Sequence, residues 1–153
     1  IWGGHVNLTN VTIVGAGDDG FDTDDGWAGS VDGLSVSGAT NSGLELSGTT
    51  HATYTNVSID TTGAVALDDV GGAIYLKKTG IGGTFTTVNI VDKQDPARGY
   101  GAVVTDAADL ANLSGTNVTI DAASTNTAGS VTEGPNYDAT VATTAEVAAA
   151  LGL

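Results

Sequence analysis

Apolar and polar residues alternate in short segments that recur along the chain. Five segments end in an apolar–polar–apolar triplet, and the triplets finish at Ile13, Val36, Ile59, Ile90 and Ile120. Such alternation predicts a β-strand with one buried face. The triplets follow one another at intervals of 23 residues at first and of about 30 later. The chain is therefore built from a repeating unit, and the unit decides the fold.

A bend is predicted inside each unit. A large apolar residue lies three positions before the triplet, at Leu8, Val31, Tyr54 and Phe85 in the first four units. Two residues three positions apart on a flat strand point to opposite faces, so both could not be buried on the same side. The chain should bend between them, where Asn and Gly tolerate left-handed backbone. The predicted bends are at Asn10, Gly33, Asn56, Thr87 and Asn117.

A further strand-like segment is centred on Phe21, Leu44 and Leu67, again 23 residues apart. Each unit is thus predicted to hold three short strands. A period of this length with an Asn at one bend resembles the right-handed parallel β-helix of the pectate-lyase-like superfold. The resemblance covers about residues 5–131 and is one of architecture. It implies an all-β fold, a right-handed parallel β-helix (solenoid) of about five coils with three short strands per coil and a short C-terminal helix.

Two regions are predicted from this pattern. Residues 1–131 form the coils, and their start is expected to be truncated or docked against a neighbour. Residues 132–153 form a tail with a short cap or docking helix, because Val147 and Leu151 lie four apart in an Ala-rich segment. The longer intervals of the third and fourth units indicate loop insertions, which emerge on the surface of repeat proteins.

Charge excludes some partners. Four Lys and Arg oppose 18 Asp and Glu, which gives a net charge of −14. A phosphate footprint needs clustered cations, so nucleic acid is not expected as a partner. No apolar run is long enough for membrane insertion. The chain has no Cys, which excludes disulfides and thiolate chemistry.

The most acidic stretch is "GAGDDGFDTDDGW", residues 15–27. In the repeat register Phe21 faces inward and Asp22 outward, and Asp22 is predicted to stack with Glu45 and Asp68. Such a ladder is unfavourable without compensation. Bound Ca²⁺ would compensate the charge, since it prefers carboxylate and carbonyl oxygens. The predicted metal ligands are Asp18, Asp19, Asp22, Asp24, Asp25, Glu45 and Asp68.

The same ladder can also be interpreted without a metal, in two ways. Paired carboxylates could act as general acid and base on a polysaccharide. A lyase would also need a basic residue, and the candidates are predicted to lie one to three coils away: Lys77, Lys78, Lys93 and Arg98. Alternatively, Asp-Gly pairs are turn chemistry and the remaining charge is a solvated face. Trp27 could stack on a sugar ring or fill a turn, and the second role is the commoner one.

Five N-x-S/T sequons occur in the chain. Three coincide with the predicted bends, where stacked Asn side chains would bond one another, so Asn7 and Asn112 are the glycosylation candidates. Outward Thr12, Thr119, Ser35, Ser58 and Asn89 form only an imperfect row, which gives an ice-binding protein weak support.

No nucleophile, base and orienting group occur at usable spacing. The leading hypothesis is a non-catalytic structural or adhesive β-solenoid module of an extracellular or cell-surface protein, stabilised by Ca²⁺ and stacking end to end into a filament or longer solenoid. Its expected partners are further copies or neighbouring domains, and a polysaccharide. The alternative is a Ca²⁺-dependent polysaccharide-acting enzyme, a lyase or glycoside hydrolase of the β-helix superfold.

Overall fold

The computed structural model describes residues 1–61, 72–78, 80–91, 103–105, 110–120 and 144–153. Within these ranges ten strands and one helix follow the chain. They are β1 (Trp2–Gly4), β2 (Asn7–Val14), β3 (Phe21–Trp27), β4 (Ser30–Ser37), β5 (Leu44–Ser47), β6 (His51–Asp60), β7 (Ile74–Lys77), β8 (Gly82–Val91), β9 (Val103–Thr105), β10 (Asn112–Ile120) and α1 (Thr144–Leu151).

The strands form two parallel sheets, and the chain passes alternately between them. Sheet A has the order β1-β3-β5-β7-β9 and consists of short strands. Sheet B has the order β10-β8-β6-β4-β2 and consists of strands of eight to ten residues. Each strand therefore pairs with the equivalent segment of the next repeat, for example Leu8 with Val31 and Val31 with Tyr54.

The predicted right-handed parallel β-helix with three short strands per coil is wrong. The structure has two parallel sheets side by side, with no closed solenoid of three-stranded coils, and a single short helix in the described ranges. The two segments expected as separate strands on either side of each bend are one continuous strand of sheet B. Pairing resumes in the same register beyond the bend because neighbouring strands bend at the same register position.

The bends themselves are correctly predicted. Positive φ angles occur at Asn10 (54°), Gly33 (77°), Asn56 (53°), Thr87 (57°) and Asn117 (54°). The Asn side chains were expected to bond one another, but the Asn56 side-chain amide donates instead to Asp32 Oδ1 at 2.8 Å. Gly33 occupies the rung between Asn10 and Asn56, so a continuous Asn ladder cannot form there.

A single core lies between the two sheets. Its aromatic residues form a chain of ring contacts from Phe21 through Trp27 and Tyr54 to Phe85, with centroids 5.8, 5.9 and 4.7 Å apart. Trp27 is fully buried, so it fills the interior and is unavailable for stacking on a sugar. The buried Thr23 hydroxyl donates to the Glu45 carbonyl (3.1 Å), which leaves the Tyr54 hydroxyl to donate to Thr23 (3.2 Å) and to tie sheet A to sheet B.

Two glycines allow the sheets to approach closely. Gly20 and Gly43 precede β3 and β5 at equivalent positions, and a Cβ at either would collide with the core. At Gly43 it would overlap Ile59 Cγ2 and lie 2.9 Å from the Ala73 carbonyl. Only a residue without a side chain fits at these two positions, whereas the equivalent position before β7 is the buried Ala73.

The helix α1 packs at the β9 and β10 end of the core. Val147 and Leu151 are fully buried in the core cluster, which confirms the predicted C-terminal helix and its apolar face. Gly115 of β10 lies directly under the last turn, because a Cβ there would overlap Leu151 backbone atoms. In the described ranges, the helix is neither long nor apolar enough to cross a membrane.

The left-handed position at Asn56 gives a direct test of the bend. Asn56→Ala should lower the free energy of unfolding by about 1–2 kcal/mol, because a side chain without a local hydrogen bond is disfavoured in left-handed backbone. Asn56→Gly should cost less. Denaturant unfolding measures both, with Ser58→Ala, an exposed residue of the same strand, as the control that should change stability by less than about 0.5 kcal/mol. Equal stability of Asn56→Ala and Ser58→Ala would contradict the assignment.

Candidate functional site

The predicted carboxylate ladder begins as expected on sheet A. Asp22 of β3 pairs in register with Glu45 of β5. The third rung differs, because Glu45 pairs next with Tyr75 of β7. Asp68 lies outside the described residues. Asp22 is exposed whereas Glu45 is only 4% exposed, so the two acids occupy different environments although they are neighbours.

A lysine on the neighbouring strand β7 completes this group. Lys77 Nζ donates to both carboxylate oxygens of Glu45, at 3.0 and 3.2 Å. It also lies 5.6 Å from the centre of the Tyr75 ring, a cation–π distance. The carboxylate pair therefore has a basic neighbour on the next strand of sheet A. We refer to Asp22, Glu45, Tyr75 and Lys77 as the sheet A cluster.

The length of the repeat contained a signal for the position of β7, the strand that carries Lys77. The interval from Ile59 to Ile90 is longer than the preceding ones, and the repeat register predicts the extra residues as a loop after a strand at Leu67. The structure places Ile74, instead of Leu67, opposite Leu44. The extra residues therefore precede the strand, and the segment "IYLK" becomes β7.

Burial controls the proton affinity of the two carboxyls. It raises the pKa of Glu45 to about 7, and the negative charge of Asp19 adds to the effect, whereas Lys77 acts in the opposite direction. Burial also raises the pKa of Asp22, with further contributions from Asp19 and Asp24. Desolvation disfavours the charged form of an acid. Both carboxyls therefore have a raised pKa, and Glu45 holds its proton to a higher pH than an ordinary glutamate.

The remaining predicted metal ligands lie in the turns that flank β3 or at its end. Asp19 Oδ1 accepts from the Ser42 amide at 2.9 Å, and the Asp18 carbonyl accepts from the Asn41 amide at 3.3 Å. These bonds fix one turn on the equivalent turn of the next repeat. At the other end Asp24 Oδ1 accepts from the Asp25 amide at 2.9 Å.

Asp25 is a left-handed residue within β3 (φ 41°), and Lys78 Nζ lies 3.9 Å from Asp24 Oδ1. Across the described ranges, no three Asp, Glu or His side chains converge as a group able to hold a metal ion. Asp18, Asp19, Asp22, Asp24 and Asp25 lie in β3 or in the turn before it, and Glu45 lies on β5. Calcium binding by them stays a prediction.

The glycosylation candidates lie at strand starts of sheet B. Asn7 begins β2 and Asn112 begins β10, and both are exposed. The Asn7 side-chain oxygen accepts from Ser30 Oγ at 3.0 Å. Exposure is required for modification, and attachment of a glycan at either residue remains a prediction.

Comparisons with protein-family models, with curated proteins and with solved structures find no match to this chain. They therefore do not bear on the superfold resemblance, and the function has to be inferred from the geometry of the molecule.

The raised pKa of Glu45 predicts how stability changes with pH. Between its ordinary value of 4.5 and about 7 the folded protein keeps a proton that the unfolded chain releases. The free energy of unfolding should therefore fall as pH rises through this window and level off above it. Glu45→Gln cannot ionise, so its profile should be flatter between these limits.

Denaturant unfolding at a series of pH values measures the effect. Asp18→Asn serves as the control, because Asp18 is an exposed turn carboxylate outside the cluster and its variant should keep the wild-type slope. A Glu45→Gln profile as steep as that of Asp18→Asn would show that the Glu45 carboxyl is not the group responsible.

Proposed function

We propose that this chain is a non-catalytic structural or adhesive module of an extracellular or cell-surface protein, which associates through one end of its two sheets. The observation that supports this proposal is a difference in burial between equivalent positions of β2 and β4. Val31, Leu34 and Val36 of β4 are at most 1% exposed, whereas their register partners Leu8, Val11 and Ile13 of β2 are only partly buried against the core. Among the described residues, the core is therefore only partly covered at the β1 and β2 end.

The two ends of the sheets are not alike. At the β9 and β10 end, α1 supplies Val147 and Leu151 to the core. At the β1 and β2 end, Trp2 is 79% exposed and Val14 is 74% exposed. Edge strands with free N–H and C=O groups accept further strands unless charge or a cover prevents it. β2 carries no charged residue. Association is thus favoured at this end, through a second copy or a neighbouring domain.

The acidic segment supplies a physical reason for a dependence on calcium. Five carboxylates lie along β3 and its turns, and β3 is next to the edge strand β1. Two chains that meet at this edge would bring like charges together, and a divalent cation would lower that repulsion. Calcium bound by the native state alone would also raise the unfolding temperature.

Sedimentation velocity tests the association. Wild type should form larger species in a concentration-dependent way, more strongly with Ca²⁺ than with a chelator. The double variant Trp2→Lys with Val14→Lys should remain monomeric, because lysine on an edge opposes strand addition. Leu153→Lys is the matched control, since it charges an exposed apolar residue at the α1 end. A strictly monomeric wild type at all calcium concentrations would contradict the proposal.

A polysaccharide-acting enzyme is the second candidate, and the sheet A cluster is the observation that favours it. Asp22 and Glu45 are register partners on adjacent strands of sheet A, and glycoside hydrolysis uses two carboxyl groups on either side of the scissile bond. Glu45, with its raised pKa, would be the acid and Asp22 the nucleophile. Lys77 would be the base in a lyase reaction.

Product release from pectin, alginate and neutral polysaccharides, with and without Ca²⁺, tests this candidate. Reducing ends report hydrolysis, and unsaturated products report a lyase reaction. If the cluster is catalytic, Asp22→Ala and Glu45→Gln should each lower the rate by at least about 100-fold, and Ser58→Ala on sheet B should not. No release by wild type would exclude the enzyme on these substrates and leave the structural module.

A further inference from the structure

The outer face of sheet B carries two parallel rows of short polar side chains on the same side of the bend. Pairing between strands fixes both rows, and each crosses all five strands. The first row consists of Asn7, Ser30, Thr53, Thr84 and Ser114, and the second of Thr9, Asp32, Thr55, Thr86 and Thr116. We call these ten residues the two-row threonine face.

The chemistry of this face differs from that of the rest of the molecule. The protein has a net charge of −14, but Asp32 is the single charged member of the two rows. Neither row contains an aromatic residue, and all members except Asn7 and Asp32 carry a hydroxyl group. Seven of the ten are exposed, and Ser30, Thr55 and Thr86 are half-buried. The face is therefore an almost uncharged, solvent-accessible array of hydroxyl groups.

The array is held in place by bonds that run along the rows. Ser30 Oγ donates to Asn7 Oδ1 at 3.0 Å, and Ser114 Oγ donates to Thr84 Oγ1 at 3.4 Å. Asp32 Oδ1 accepts from the Asn56 amide at 2.8 Å, so the one charge is partnered. Six of the ten residues are Thr, whose β-branched side chain has few rotamers. Little entropy is thus lost when this face is immobilised against another surface.

The spacing of the array is two-dimensional. Neighbouring strands lie about 4.8 Å apart, and residues two apart along a strand lie about 6.7 Å apart. A partner that matches such an array must itself be periodic, rigid and uncharged, with donors and acceptors on its surface. The surface of crystalline water has these properties. Crystalline polysaccharides have them too, but sugar rings present apolar faces that pack best on aromatic rings, and the two rows contain none.

We infer that the two-row threonine face is a binding surface for ice. The row considered from the sequence, Thr12 to Thr119, lies beyond the bend, whereas the two rows of this face lie before it. This inference rests on the adhesive part of the proposed function and gives it a partner. It does not depend on association through β1 and β2, because the face lies across the strands and not at their edge.

Partition of the full chain into slowly growing ice tests the inference. Wild type should be enriched in the ice fraction, and microscopy should show shaped crystals. Thr53→Tyr should lower the enrichment several-fold, because a bulky ring at the centre of the first row separates the face from the lattice. Tyr is a good strand former, and circular dichroism with thermal melting will verify the fold. Ser58→Tyr, on the same strand beyond the bend, is the matched control and should behave as wild type.

Three results would overturn the inference. They are exclusion of wild type from ice, equal loss in Thr53→Tyr and Ser58→Tyr, and binding of wild type to microcrystalline cellulose or chitin without enrichment in ice. The double variant Trp2→Lys with Val14→Lys separates the two proposals. It should lose association and keep ice enrichment, so a failure of the edge proposal leaves the result at the face intact.

Discussion

The parallel pairing of equivalent segments is the constraint on which the other features of this molecule depend. Each strand of sheet B lies beside the same part of the next repeat, so like side chains stack on like side chains. Inside, this stacking joins Val31, Tyr54 and Phe85 into one apolar row. Outside, it arranges the hydroxyl groups in rows. The left-handed residue also has to recur at one register position, because a strand that bends alone would lose its bonds to both neighbours.

The same pairing explains why the two ends of the sheets and the two outer faces differ. A stack of parallel strands leaves an uncovered strand at each end, and only the end at β9 and β10 receives a helix in the described ranges. On sheet A the outward row places Asp22 beside Glu45, and Lys77 offsets the buried charge from the next strand. On sheet B the outward rows are almost uncharged. The face that carries acids and the face that carries hydroxyl groups are thus separated by the core.

Sequence reasoning predicted the inward positions, the bends and the C-terminal helix, because each has a local signature. Asn and Gly mark the bends, and Val147 and Leu151 mark the helix face. The number of strands per repeat could not be predicted in this way. A left-handed residue either ends a strand or bends it, and the outcome depends on whether the neighbouring strands bend with it. The position of β7 was not predicted correctly, because an insertion lengthens the repeat by the same amount whether it precedes or follows the strand.

The central claim is that the β1 and β2 end of the core is only partly covered in a single chain and becomes fully covered on association. Amide hydrogen exchange measured on β2 and β4, first in dilute and then in concentrated solution with Ca²⁺, tests it most directly. The account predicts that the β2 amides that do not pair with β4 exchange rapidly in the dilute sample and become protected in the concentrated one, while β4 stays protected in both. Protection of β2 that is equal to that of β4 in the dilute monomer would contradict it.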